Sequence, residues 1–277
     1  TAGIAALVLA AHPDYKPADI KAALMNTAKD VNTKSSTYSV YQVGAGRVDP
    51  ERAIKSDVKF QVIDKANSYD DSAYIYDPTS IMKQIDDIRG SIFFGFKGRG
   101  EGAEDGSDDV ISTKDFNIIN QGTSSKTFKV STDFISTKFA ASNPVGSGTG
   151  NDVKLDVSVN NANTTSLTVG GASTVKATAK ITVPSNSEEG TYEGYLNLIN
   201  ASDSTDSYRI PFTITVAEKG IDFRAQLKAT TLTERYTGNY NPNGGAPGLL
   251  YSYTINSEME SMYLLLKDKD GNYLGVV

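Results

Sequence analysis

A single histidine, His12, and no cysteine occur among the 277 residues, and this narrows the available chemistry at once. Nucleophilic hydrolysis needs an attacking oxygen or sulfur, a base hydrogen-bonded to it and a group that orients the base. Without thiols, thiolate attack, disulfides and thiolate-bound metals are excluded. His12 follows an apolar run and precedes Pro13, with no nucleophile motif beside it, so the spacing predicts a helix-end or turn histidine rather than a base. Gly122-Thr123-Ser124 offers a serine, but it lies between the alternating stretches Phe116-Asn117-Ile118 and Phe128-Lys129-Val130 and is expected to form a hairpin turn.

The other candidates also read as structure. Asp268-Lys269-Asp270-Gly271 opens like a calcium loop, yet Tyr273 stands where such a loop needs glycine and no Glu follows at its far end, so a hairpin turn is expected. The run from Gly98 to Asp109 is glycine-rich and acidic; it could hold a cation, yet a mobile, solvated loop explains it without any ligand, and it lacks the Lys-Ser/Thr ending of a phosphate cradle. Gly44-Ala45-Gly46 lacks the third glycine of a dinucleotide fingerprint and predicts a close backbone approach. Asn163-Thr164-Thr165 and Asn200-Ala201-Ser202 fit the acceptor pattern for N-glycosylation. The expected set of catalytic, cofactor-binding and metal-ligating residues is therefore none.

Acidic residues outnumber basic ones, 33 to 27, for a formal charge of −6, which argues against a nucleic-acid partner. With 39% hydrophobic and 22% charged residues the chain can build cores. No run approaches the roughly 18–20 apolar residues of a membrane span.

Residues Thr1 to Ala11 are apolar on every side, the pattern of a helix buried all round. Basic residues ahead of the apolar run and a cleavage site after it are both missing, so it does not read as a signal peptide. A second helix starts at Pro17, with Asp19 in its first turn and Ile20, Ala23, Leu24 and Thr27 at helical spacing. From about Asp57 the period changes to two. Val175, Ala177, Ala179, Ile181 and Val183 alternate, as do Tyr208, Ile210, Phe212, Ile214 and Val216. Short strands with polar breaks and no intervening helix predict an antiparallel β-sandwich. Within it, Gly190 suits a turn, Glu193 a solvent-facing position and Pro211 an edge or bulge. Leu249 to Ile255 and Met262 to Leu266 read as two further strands.

Ala2-Gly3-Ile4-Ala5-Ala6-Leu7, His12-Pro13, Ala22-Ala23-Leu24-Met25-Asn26-Thr27-Ala28 and Gly44-Ala45-Gly46-Arg47-Val48-Asp49, taken in order, resemble the last part of the catalytic domain of subtilisin-like serine peptidases. The resemblance implies that the nucleophilic serine lies just upstream of Thr1 and that the other triad members lie further upstream. Glu189-Gly190-Thr191-Tyr192-Glu193-Gly194-Tyr195 and Arg209-Ile210-Pro211-Phe212 are similar to the fibronectin type III-like module that follows that domain in large secreted and cell-envelope enzymes of the family.

The expected fold is thus mainly β. Residues 1–57 form a catalytic-domain remnant of two helices and a Gly-rich segment, 58–219 a fibronectin III-like sandwich, and 220–277 the start of a truncated further β module. The expected function is that of an accessory region of a secreted or cell-envelope bacterial endopeptidase. By itself the chain should be inactive, its parent acting on protein or peptide substrates and using no cofactor. The alternative is a non-catalytic adhesion or binding module, which would have no use for Thr1 to Ala28. Burying Ile4, Leu7, Val8 and Leu9 is worth about 1.5–3 kcal/mol each. Residues 1–55 are therefore expected to pack against another copy of the chain, to swap elements between copies, or to fold back onto the sandwich in a way foreign to the family.

Overall fold

Helix α1 (Ala2–Ala11) contains no charged residue and has no side-chain cap. Helix α2 (Pro17–Asn26) starts with a proline at its first turn, and Asp19 Oδ2 accepts the Lys16 N–H at 2.8 Å. Two short helices follow where two in all are expected. Helix α3 (Val40–Val43) is capped by Ser39, whose hydroxyl oxygen accepts the Tyr41 N–H; α4 (Pro50–Lys55) is capped by Asp49, which accepts the Arg52 N–H. At four and six residues they are too short to leave a helical period in the sequence. The computed structural model describes residues 1–33, 38–69, 82–104, 106–135, 153–227, 249–255, 265–267 and 269–276.

The strands are β1 (Val58–Tyr69), β2 (Met82–Arg89), β3 (Ile92–Gly98), β4 (Val110–Asn120), β5 (Lys126–Phe134), β6 (Lys154–Val159), β7 (Ala162–Asn163), β8 (Ser166–Val169), β9 (Ser173–Val183), β10 (Gly190–Asn200) and β11 (Ser207–Ala217). They build a six-stranded sheet, β2-β1-β4-β9-β6-β7, and a five-stranded sheet, β3-β11-β10-β5-β8. The alternating residues of both sheets meet in a single core: Phe60, Phe116, Ile181 and Val183 come from the first, and Phe94, Phe128, Leu196 and Phe212 from the second. Phe60 bridges the layers, with its ring 5.6 Å from Phe128 and 5.0 Å from Tyr208. This is a sandwich, as the period of two predicts. Its five-stranded sheet is mixed, however, because β3 runs parallel to β11.

Two expectations are corrected here. Residues 121–125 do not form a hairpin: β4 pairs with β1 and β9, whereas β5 pairs with β10 and β8, so Gly122-Thr123-Ser124 crosses from one sheet to the other. Glu193 does not face solvent; it is 1% exposed. The pattern of one sheet face is legible in sequence, but which outer face is covered by another element is not.

Strands β12 (Ile221–Leu227) and β13 (Leu249–Ile255) pair antiparallel. Strands β14 (Leu265–Lys267) and β15 (Tyr273–Val276) form a hairpin around the turn at residues 269–271, as expected of the Asp-Gly sequence there. Asp268 and the segment from Met262 to Leu264 lie outside the described residues.

The helices complete the sandwich. β2 pairs with β1 only from Val62 onward, and β3 pairs with β11 only from Phe212 onward. Val58–Gln61 and Ser207–Pro211 are thus each left with a ladder on one side, and α2 packs against both strands at this gap. Pro211 falls in that local edge, one residue before β3 begins to pair, so its missing N–H costs no ladder bond there. Met25 of α2 lies so close to Gly90, between β2 and β3, that a Cβ on Gly90 would come within 2.8 Å of its sulfur. α1 is covered on one side only. Val8 packs with Tyr15, Ala23 and Ala53, whereas Leu7 is 54% and Leu9 42% exposed, contrary to the expectation of a helix buried all round.

Candidate functional site

The chemistry-bearing side chains gather along the seam between the helices and the sandwich. Glu193, on the outer face of β10, accepts hydrogen bonds at one carboxylate oxygen from the Ser39 hydroxyl (2.7 Å) and the Val40 N–H (2.9 Å). It thereby satisfies a donor at the start of α3 that the helix itself cannot. Beside it the Tyr195 hydroxyl donates to the Gly44 carbonyl at 2.8 Å, and Tyr41 donates to Thr213.

A second cluster pins α2. Lys59, with 5% of its side chain exposed, donates to Asp19 Oδ1 at 2.7 Å, and Gln61 donates to the same atom at 2.9 Å. Burial pushes the Asp19 carboxyl up, but the bonds from Lys59, the Lys16 N–H and Gln61 outweigh it and hold the group below the usual carboxylate range. Lys59 also lies 4.1 Å from the centre of the Tyr15 ring, and the Tyr15 hydroxyl donates to Gln121. Burial, aided by the charges of Asp19 and Asp57, pushes the Tyr15 hydroxyl up to about 12.

Between α4 and the β10–β11 turn lies an open cleft of about 580 Å³ whose lysines are each paired with a carboxylate. Lys126 bridges Asp57 (2.5 Å) and Asp206 (2.9 Å), and Lys29 pairs with Asp49 at 2.7 Å. Arg52 donates to both oxygens of Ser207, and the Tyr208 hydroxyl, with burial as the main cause, is pushed far above its usual value. These groups are spent on one another and lock α4 to the sandwich.

A second cleft, of about 530 Å³, opens between the segment after α2 and the outer face of the five-stranded sheet. Arg209 of β11 lies across the Tyr195 ring, its guanidinium carbon 3.5 Å from the ring centre. Its side chain is 11% exposed, and its Nε is buried with no hydrogen-bond partner.

The residues singled out from the sequence stand apart from these clusters or serve structure. His12 ends α1; its Nε2 meets the Ile54 carbonyl at 2.8 Å and its ring stacks on Tyr15 at 4.4 Å, which makes it a packing residue. Ser124 sits exposed in the inter-sheet loop, where its carbonyl accepts from Asn120. In the acidic loop, Gly100, Gly102 and Gly106 have positive φ, and Lys97 pairs with Glu101; Asp105 lies outside the described residues. Gly46 makes the expected close approach: at φ +114° a Cβ there would lie 2.2 Å from the Lys29 carbonyl oxygen. Of the two glycosylation patterns, Asn163 is exposed, whereas the Asn200 amide donates to Asp206. Among the described residues no group of three or more His, Asp or Glu is placed to hold a metal ion, and no helix is long and apolar enough to cross a membrane. Sequence reasoning placed Asn26, Glu193 and Arg209 inside stretches that resemble the protease family and its module but gave none of them a partner. Asn26 accepts the Phe60 N–H, Glu193 holds Ser39, and Arg209 meets Asp30, all remote in sequence.

Comparison with known proteins picks out the N-terminal segment. Residues 1–46 match the subtilase family, peptidase S8. The Arabidopsis thaliana subtilisin-like protease SBT4.3 is 36% identical over 61 residues, and SBT1.4 of the same plant is 39% identical over 71; each alignment takes in 22% of this chain. The chain spans 8% and 9% of those two proteins, less than a tenth of their length. Among solved structures, a family 123 glycoside hydrolase from Clostridium perfringens aligns with 47% of this chain and 23% of its own, at a TM-score of 0.32 and 16% identity. A PapD-like domain of human CEP192 aligns with 47% of this chain and 82% of its own, at 0.33 and 13%. Likenesses at that level carry no argument about the sandwich. The similarity to known proteins is therefore to subtilisin-like proteases, and it lies in the short helical segment at the N-terminus.

Proposed function

We propose that this chain is an accessory region of a secreted subtilisin-like serine endopeptidase. In this reading residues 1–57 are the end of the catalytic domain and the β-sandwich braces it. The observation that carries the reading is that the subtilase-like segment is fastened to the sandwich by buried polar bonds at Asn26 and Ser39 and a part-buried one at Asp19. A segment that shapes the catalytic domain would be held in register by such bonds, since unmaking each one leaves a buried group unsatisfied. The parent acts on proteins or peptides through a triad supplied by other parts of its chain. This chain, whose single histidine is spent on packing, hydrolyses nothing.

The test is a casein and peptide-amide assay of this chain together with a serine-directed phosphonate probe. No turnover and no labelling is the expected result; covalent labelling overturns the reading. The sequence encoded directly before Thr1 is the second check, and absence of a Gly-Thr-Ser-Met-Ala-like serine motif there removes the peptidase assignment. Leu7 and Leu9, exposed on α1, also lead us to propose that the isolated chain self-associates through residues 1–55. A light-scattering concentration series that stays monomeric contradicts this.

A further inference from the structure

Arg209 carries a buried donor, Nε, that has no partner among the described residues. A guanidinium carries five N–H donors in a fixed fork. Among the described residues the Arg209 guanidinium has one ionic contact, Nη1 to Asp30 Oδ1 at 3.3 Å, and Asp30 is itself half exposed. Tyr195 beneath it offers only its ring face, and Nε is buried without a partner. Elsewhere on this seam Lys59 is paired with Asp19 and Lys126 with two carboxylates. An arginine whose guanidinium carbon lies 3.5 Å from the centre of an aromatic ring, and which lines a cleft of about 530 Å³, is prearranged for a planar anion.

The rest of the cleft narrows the ligand. Ile135, clustered with Tyr195, gives it an apolar lining, so the anion should carry an apolar group. Asp30 and Asp133 line it as well, and Asp133 is bonded to Asn197 at 2.6 Å. Lys29 and Arg52 also line the cleft but are engaged by Asp49 and Ser207, so the two carboxylates stand beside one uncommitted guanidinium, which disfavours a doubly charged phosphate and favours a monoanion that brings N–H donors of its own. A carboxylate, an apolar side chain and a backbone N–H together describe the C-terminal residue of a peptide.

We propose that the cleft between residues 28–32, which follow α2, and the outer face of β10–β11 binds peptide C-termini, with Arg209 as the carboxylate-binding residue. The assignment goes beyond the peptidase reading and does not depend on it. A binding result leaves the phosphonate and upstream-sequence tests untouched, and their failure leaves this one standing.

The experiment is calorimetry and amide NMR on the 277-residue chain, with N-acetyl-leucine, N-acetyl-leucinamide and inorganic phosphate as probes. The acid is expected to bind and to shift signals of Tyr195 and Arg209. The amide, which has the same shape without the charge, should bind at least about tenfold more weakly, as expected when a charge-assisted fork is lost. Arg209→Gln should abolish acid binding, with circular dichroism and a melting curve confirming the fold. If Arg209→Gln does not fold, Asp30→Asn serves instead: it frees the fork and removes a repelling charge, so the acid should bind several-fold tighter. Equal binding of acid and amide, binding of neither, phosphate bound more tightly than the acid, or no effect of Asp30→Asn each overturns the proposal.

Discussion

The Phe60 N–H donates to Asn26 Oδ1 at 3.0 Å, on a stretch of β1 that β2 does not reach. A helix side chain here takes the place of a strand. Both residues are fully buried, so water cannot substitute for the lost acceptor if Asn26 is truncated. Asn26→Ala is expected to cost about 1–3 kcal/mol, the price of a buried unsatisfied amide. Urea unfolding checks the magnitude. Hydrogen exchange gives the location, because the Phe60 amide should exchange faster while those of the β4–β9 ladder keep their protection.

Glu193 anchors α3 through Ser39 and Val40, which precede it by about 150 residues in sequence. Glu193→Ala leaves the hydroxyl and the amide without their acceptor and should destabilise by about 1.5–3 kcal/mol, the range for hydrogen bonds to charged groups. Glu193→Gln retains an acceptor oxygen and should cost less. Limited proteolysis offers a local readout: in the Ala variant, cleavage should concentrate between Ala28 and Asp49. If Glu193→Ala melts with the parent chain and resists protease equally, the carboxylate is not the anchor.

Gly46 and Gly44 separate two kinds of glycine. At Gly46 a methyl group would meet the Lys29 carbonyl at 2.2 Å in addition to the cost of φ +114°, whereas at Gly44 nothing lies within 4 Å and only the backbone conformation resists. Gly46→Ala should therefore destabilise by more than about 1 kcal/mol and by more than Gly44→Ala. Thermal melts of the two variants side by side check the order. The Lys29–Arg47 bridge should be lost in the first and kept in the second.

The sandwich was legible because its core obeys a simple period. Val175 to Val183 and Tyr208 to Val216 alternate, and their inward members, from Ala177 and Tyr208 on, are buried as that alternation requires. What could not be read was anything set by a partner remote in sequence. Glu193 sits in an outward position of β10, which sequence alone assigns to water; α3, four residues long, covers it. Gly122-Thr123-Ser124 looks like a hairpin because hairpin and inter-sheet loops use the same turn residues, and the choice between them is made by the strand order. Arg209 was visible only as part of Arg209-Ile210-Pro211-Phe212, since its stacking partner Tyr195 lies across the β10–β11 ladder.

Alkali should loosen the seam before the core. The Tyr15 and Tyr195 hydroxyls tie the helices to the sandwich, donating to Gln121 Oε1 and the Gly44 carbonyl, and each is pushed from an ordinary 10.0 up to about 12. Burial is the main cause for both; carboxylates add to it, while Arg209 works against it at Tyr195. A hydroxyl whose folded value is raised favours the folded state while it stays neutral. That stabilisation is complete below about pH 10, where both folded and unfolded tyrosine are protonated, and it is lost progressively as pH rises from about 10 to about 12. Near-ultraviolet titration of the 15 tyrosines should show an early set and a late step, with the late step accompanied by loss of helical circular dichroism. In the double variant Tyr15→Phe, Tyr195→Phe the late step should shrink and stability should fall less steeply across that interval. Tyrosines that all titrate at the ordinary value while the helical signal stays intact would mean that these two hydroxyls do not hold the seam.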